Sequence, residues 1–368
     1  MANCGCSLDL VAILKNLPEF IIVHSLGIFW AVVVATRMLF AKLTGNEPPA
    51  IPTKVRKAPA VLTNPALGEH GFLNLKSGIK IHYVATGQED KPLMLFLHGF
   101  PEFWYSWRHQ LSYFKKNYRA VAIDMRGYGD SDKPSSKYAY SIPTLVEDIR
   151  QVVEALDRKS CYLVCHDWGA IVGWHFATVH PKMVDRLVIL NCPHPEAFQK
   201  YIRTSFTQFM KSWYIFLFQL PYLAELTFGK NDLARLTASF TKPPMGAKAG
   251  TFSAEDIEAY KYTFGKPGAL TPPVNYYRNI FRLIPVKRLC STHLQMPVLL
   301  VFGTADQALD TEAAVMSGDW VDGYFEVKLL EGISHWVQNE APDRVNEAIE
   351  TFLSKDIPAH HKAHWDDK

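Results

Sequence analysis

Apolar positions divide the chain into regions of different character. Over residues 20–40 they run almost unbroken, FIIVHSLGIFWAVVVATRMLF. As a helix this run would extend about 31 Å, roughly the hydrocarbon thickness of a bilayer. Its ionisable members are His24 and Arg37, and Arg37 lies near one end, where its stem can snorkel to the interface. A cleavable signal peptide would have a shorter apolar region and a small-residue exit. A core helix would spare an amphipathic face. The run predicts a single membrane-spanning anchor within residues 1–45, followed by a stalk rich in Pro and Ala over 46–68.

From about Gly71 short β-rich runs alternate with helix-like stretches. Residues 79–85, 93–98, 119–124, 161–165, 187–191 and 298–303 read as strands, the last two of the buried, parallel type. Helices are predicted through Trp107 and Phe114, over about 141–156, over 170–180, and at the end of the core. This alternation predicts an α/β fold, a mostly parallel sheet with helices on both faces, built from 69–194 and 295–355. Between 195 and 294 the alternation stops. That stretch is helical in character and carries Phe206, Phe209, Trp213, Tyr214, Phe216, Phe218 and Tyr222. Set between two strands of one sheet, it reads as a lid, with most aromatics in its core and a minority facing a pocket. Residues 356–368 read as a flexible tail.

Composition removes some function classes. The net charge of +3 over 368 residues gives no reason to invoke nucleic acid. Six cysteines, at positions 4, 6, 161, 165, 192 and 290, have neither metal-ligand nor disulfide-framework spacing and read as reduced thiols. There is no Asn-x-Ser/Thr sequon, which leans against a lumenal location. Lys15 alone is basic before the anchor, whereas Arg37, Lys42, Lys54, Arg56 and Lys57 follow it. The positive-inside rule then orients the domain after the anchor to the cytosol, with the endoplasmic reticulum the expected membrane.

Candidate chemistry begins at Cys165-His166-Asp167-Trp168-Gly169, between a strand and a helix. The usual elbow in this position is G-x-S-x-G, with a Ser nucleophile. Cys165 replaces the first Gly, and Asp167 replaces the Ser. A carboxylate is already ionised at neutral pH and needs no base to activate it. It attacks sp³ carbon, forms an ester, and leaves a His to activate water against that ester. The plainer reading of Asp167 is a helix N-cap. Its neighbours argue otherwise. His98-Gly99-Phe100-Pro101 ends an upstream strand, so the Phe100 and Trp168 N–H groups form the natural oxyanion pair. Gly303-Thr304-Ala305-Asp306 follows a strand where the acid belongs, and Gly332-Ile333-Ser334-His335 precedes the last helix where the His belongs. The order Asp167, Asp306, His335 is nucleophile, acid, base. His98 and His166 are expected to hold loops, and Asp124 with Arg126 to brace a neighbouring loop. The tail histidines His360, His361 and His364 give only a weak metal pattern. No metal and no cofactor is expected, because nucleophile, base and acid are all protein groups.

HGFPEFWYSWR, DMRGYGDSDKP, HDWGA and GISHW together resemble the signatures of the α/β-hydrolase-fold epoxide hydrolases, from about Gly71 to the final helix. With the anchor and NYYRNIF, the sequence resembles in particular the animal epoxide hydrolases 3 and 4. The resemblance implies two lid tyrosines that donate to the epoxide oxygen, at Tyr214 in WYIFLFQLP and Tyr277 in VNYYRNIF. It implies conversion of epoxides to vicinal diols, and the membrane anchor with the aromatic lid points to lipophilic ones such as epoxy fatty acids. A dehalogenase shares the Asp–His–acid set. However, a haloalkane enzyme would favour Asn at Phe100 and a fluoroacetate-type enzyme Arg at Trp168. A serine esterase fails because Ser131 and Ser334 have no elbow around them. A membrane-tethered, non-catalytic binding protein is the remaining alternative.

Overall fold

The computed structural model describes residues 10–44, 51–52, 54–282 and 293–357. The tail histidines, Cys4, Cys6, Cys290 and part of the expected stalk and tail lie outside the described residues.

Eight strands form one sheet: β1 (Glu69–Asn74), β2 (Lys80–Thr86), β3 (Leu93–Leu97), β4 (Arg119–Ile123), β5 (Cys161–His166), β6 (Val184–Leu190), β7 (Val298–Gly303) and β8 (Phe325–Leu330). Their order is β1-β2-β4-β3-β5-β6-β7-β8. The β1–β2 and β2–β4 pairs are antiparallel and all the others parallel. Every residue of β3 and β7 is buried, as continuous apolar runs covered on both faces require. Strand β1 was not anticipated from the pattern. It is an edge strand with four of its six residues exposed and no sustained apolar alternation.

Helix α1 (Leu10–Leu43) is longer at both ends than expected, and its Lys15–Leu43 stretch is long and apolar enough to cross a membrane. Around the sheet, α2 (Arg108–Phe114) follows a 3₁₀ turn, and α3 (Ile142–Ala155) packs on α4 (Trp168–Val179). Between β6 and β7 the chain forms α5 (Pro195–Ile202), α6 (Phe206–Lys211), α7 (Trp213–Leu217), α8 (Leu223–Thr241), α9 (Ala254–Phe264) and α10 (Thr271–Arg278). Then come α11 (Thr311–Val315), α12 (Val337–Glu340) and α13 (Pro342–Ser354), the last packed on α2 and β7.

Helix α8 breaks where Asn231, Asp232 and Leu233 take positive φ. At that break Asp232 receives Arg56 at 2.6 Å and Lys261 at 3.0 Å. Arg56 also reaches Glu258 at 2.7 Å. The Pro-rich segment is therefore tied to the inserted helices at Arg56.

The loop after β4 is held by buried charges. Asp124 accepts from His82 at 2.7 Å and from the Trp104 and Asp130 N–H groups at 2.9 Å each. Two residues on, Arg126 binds Asp148 of α3 through Nε and Nη2, both at 2.6 Å. Both side chains are almost wholly buried. Removing one partner strands a charge in the interior, which is far more costly than losing a surface pair. Arg126→Met is expected to destabilise the fold by about 3–5 kcal/mol. Urea unfolding checks this, and an unchanged midpoint would contradict it.

Candidate active site

Strand β5 ends at His166, and Asp167 turns the chain into α4 with φ 49° and ψ −117°. A non-glycine residue there stores backbone strain of about 1–3 kcal/mol, which the surroundings must hold in place. Two glycines let them approach. A Cβ on Gly169 would lie 2.3 Å from the Leu97 carbonyl oxygen, and one on Gly99 would lie 2.4 Å from Cβ of Asp167. Cys165, which stands where the usual elbow has Gly, is accommodated by Gly173. A Cβ on Gly173 would lie 2.6 Å from the Cys165 sulfur.

The Asp167 carboxylate is held from two sides. Its Oδ1 accepts the Phe100 N–H at 2.7 Å, and its Oδ2 lies 3.5 Å from His335 Nε2. Trp168 opens α4, so its N–H is one of the first-turn donors that lack an intrahelical acceptor. On its other side, His335 Nδ1 donates to Asp306 Oδ2 at 2.7 Å. Asp306 also accepts from Asn191 Nδ2 at 2.7 Å and from the N–H groups of Ala308 (2.7 Å) and Leu309 (3.0 Å). Burial works against the imidazolium, but the charge of Asp306 and the bond to Asp167 outweigh it, so the His335 pKa lies well above its ordinary value. Burial likewise opposes ionisation of Asp167 and Asp306, yet contact with His335 keeps both below the usual carboxylate range. The three side chains form one buried charged unit.

Sequence reasoning missed two supports of this unit. Asn191, at the end of β6 with φ 43°, bridges Asp306 to the Gly303 N–H, at 3.1 Å. Glu102, fully buried, accepts from the Gly99 N–H at 3.1 Å and from Gln338 at 3.0 Å. It also pairs with His166 Nδ1 at 2.7 Å, while His166 Nε2 donates to the His335 carbonyl at 2.9 Å. The Glu102–His166 pair thus joins the Phe100 loop to the His335 loop. His98 fixes the same region, donating from Nδ1 to the Gly99 carbonyl at 2.8 Å and accepting the Met125 N–H at 3.0 Å.

Above Asp167 lies a cavity of about 810 Å³ lined by Asp167, Trp168, Tyr214 and Tyr277 with apolar neighbours from the inserted helices. Tyr277 packs edge-on against Phe100 and Trp168, with centroids 5.3 and 4.9 Å away, and Tyr214 lies 5.9 Å from Tyr277. Burial first, and the nearby Asp167 charge second, hold both phenols above their ordinary pKa, so they stay protonated. The adjacent Tyr276 is spent elsewhere, donating to the Arg126 carbonyl at 2.6 Å. Of the sequence-predicted residues, Asp167, Trp168, Tyr214 and Tyr277 line the cavity. Phe100 and His335 flank the carboxylate, and Asp306 sits behind His335. Among the described residues, no cluster of three or more His, Cys, Asp or Glu could hold a metal ion.

Because the Asp306 charge is the strongest influence raising the His335 pKa, Asp306→Asn is expected to bring it down towards the ordinary imidazole value. A carbon-13 NMR titration of labelled histidine checks this, and an unmoved His335 midpoint would contradict it.

Residues 92–342 match the family model described as the alpha/beta hydrolase fold. The chain is 40% identical over 337 residues to human epoxide hydrolase 4, covering 91% of this chain and 90% of that protein. It is 46% identical over 304 residues to epoxide hydrolase 1 of Caenorhabditis elegans, covering 82% and 74% respectively. Among solved structures, the Bacillus megaterium epoxide hydrolase bound to an inhibitor superposes with a TM-score of 0.71 at 36% identity, covering 77% of this chain and all of that one. With an aspartate at the elbow, a His–Asp pair behind it and these relatives, the chain belongs to the epoxide hydrolases of the α/β hydrolase fold.

Proposed function

We propose that this protein opens lipophilic epoxides to vicinal diols through a covalent ester on Asp167. The observation that carries the reading is a buried, ionised carboxylate facing two protonated phenols across an apolar cavity. Asp167 attacks one epoxide carbon as the C–O bond breaks. Tyr277 and Tyr214 donate to the departing oxygen, and one proton passes to it. The resulting phenolate regains a proton from the His335 imidazolium. Esterification has by then removed the Asp167 charge, and with it one of the influences holding that proton on His335.

Neutral His335 then takes a proton from water, which attacks the ester carbonyl. The Phe100 and Trp168 N–H groups hold the oxyanion, Asp306 holds the reformed imidazolium, and collapse releases the diol and the Asp167 carboxylate. The charge count at the end equals that at the start. A dehalogenase using the same nucleophile would have no use for the phenol pair.

The inserted helices 195–294 act as the lid in this reading, and the cavity volume suits a drug- or lipid-sized substrate. Arg203 and Arg282 lie on the cavity lining, which also carries Glu19 and Glu196, and the two arginines offer cationic partners to the carboxylate head of an epoxy fatty acid. The apolar helix α1 tethers the enzyme to a membrane, with the basic residues after it favouring the cytosolic face of the endoplasmic reticulum.

His335→Gln mixed with an epoxy fatty acid is expected to gain the mass of one substrate on the peptide holding Asp167, and Asp167→Ala to gain none. An unmodified His335→Gln chain that makes no diol would favour the binding-only alternative. Tyr214→Phe with Tyr277→Phe is expected to slow ester formation by about 10²–10⁴-fold in stopped-flow while leaving ester hydrolysis close to wild type. Equal slowing of both steps would remove the tyrosines from the donor role.

A further inference from the structure

The N-terminal helix is packed in a way that its length and composition alone do not require. Val23 and Val34 of α1 are buried. Between them, Gly27 comes so close to α7 that a Cβ would lie 2.7 Å from the Phe216 carbonyl oxygen. One turn on, Trp30 meets Trp213 with ring centroids 5.8 Å apart. Positions 23, 27, 30 and 34 fall on one face of a helix. Towards its N-terminal end the same helix reaches the substrate cavity, where Lys15, Asn16, Glu19 and Phe20 form part of the lining.

The opposite face is apolar and open. Ile21, Ile28 and Val32 are each more than half exposed, as are Ile22, Phe29 and Leu39 beside them. These positions recur at intervals of three, four and seven residues, so they form a stripe running along the helix. No charged residue interrupts the stripe between positions 20 and 36, while Lys15, Arg37 and Lys42 lie towards its ends.

The two faces cannot both be satisfied by a helix standing upright in a bilayer. The stretch from Lys15 to Val34 is about 30 Å long, the full hydrocarbon thickness. Along that same stretch one side of α1 is in contact with the lid and the cavity. An upright α1 would pull lid and cavity mouth into the hydrocarbon, where the exposed polar groups around them have no partners.

We infer that α1 lies along the membrane surface instead of crossing it. Its lid-packed face joins it to the catalytic domain, its outer stripe is embedded in one leaflet, and its terminal lysines and arginine meet anionic headgroups. An in-plane helix of this kind sinks roughly 5–10 Å into the headgroup–acyl boundary. The cavity mouth, lined by the same helix, then opens at the depth where a lipophilic substrate resides, and substrate enters from the leaflet without crossing water. This inference rests on the membrane tether proposed above, and it replaces the mode of attachment, not the attachment.

The full-length chain, carrying one epitope tag at each end, would be expressed in cells and sealed microsomes prepared. An in-plane helix keeps both tags on one side, so added protease should remove both without detergent, while the chain floats with the vesicles. Ile22→Ser, Phe29→Ser and Val32→Ser combined alter only the outer stripe. This variant should leave the floating fraction yet hydrolyse a small water-soluble epoxide at the wild-type rate. One tag digested and one protected means that α1 crosses the bilayer, which overturns the inference and leaves the tether standing. A wild-type chain that does not float overturns the tether and the inference together. If that soluble chain is a dimer which the triple variant dissociates, a second copy covers the stripe. Both tags protected would keep the in-plane helix and move the enzyme to the lumenal side.

Discussion

Everything in the site is arranged to keep one carboxylate charged where water is scarce. Taking an ion such as the Asp167 carboxylate into the interior costs several kcal/mol even after relaxation, and its positive φ adds backbone strain. Two contacts offset this, the Phe100 N–H and the His335 imidazolium, and Asp306 on the far side of the ring holds that imidazolium charged. Each carrier is itself fixed. Gly99 and Gly169 have no side chain to block the approach of the β3 loop to the elbow, and Asn191 and two backbone N–H groups complete the shell of Asp306. Glu102 and His166 then tie the Phe100 and His335 loops together below the nucleophile. Loss of any of these would leave a buried charge short of a partner, so nucleophile geometry and local stability are coupled.

In the mechanism we propose, the same arrangement gives the chemistry its order. A cation beside an anion is the resting state, and it holds the nucleophile ionised and the base occupied. Once the anion becomes a neutral ester, one of the influences raising the His335 pKa disappears and the imidazole is released for its second task. Asp306 stays charged throughout, which keeps the ring oriented in both halves of the cycle. The phenols face the opposite problem. Burial beside Asp167 makes their ionisation costly, so they rest protonated, and in the proposed mechanism they give up a proton only to an oxygen as basic as the one an opening epoxide leaves.

Much of this could be read along the chain, and the unread part has a common cause. The elbow was legible because Asp167 sits in a five-residue strand–turn–helix signature, and Asp306 and His335 because each follows a strand in a fixed order. Fully apolar runs such as residues 298–303 announced buried strands. The roles of Glu102 and Asn191 were hidden because their partners lie 64 and 115 residues away; the HGFPEFWYSWR run contains Glu102 but does not say what it pairs with. The choice between Tyr276 and Tyr277 turned on a single carbonyl, that of Arg126, which only the fold brings near. Strand β1 was missed because an exposed edge strand need not alternate, and the packed face of α1 because an all-apolar helix has no periodicity to betray a second role.

A covalent ester on Asp167 requires that the oxygen added to the epoxide in the first turnover come from the protein and not from water. Excess wild-type enzyme would be mixed with an epoxy fatty acid in oxygen-18 water for a single turnover, and the diol weighed by mass spectrometry. The diol is expected to be unlabelled, with the label appearing instead in the Asp167 carboxylate. A diol labelled in its first turnover would mean that water attacks the epoxide directly, and Asp167 would lose its role as nucleophile.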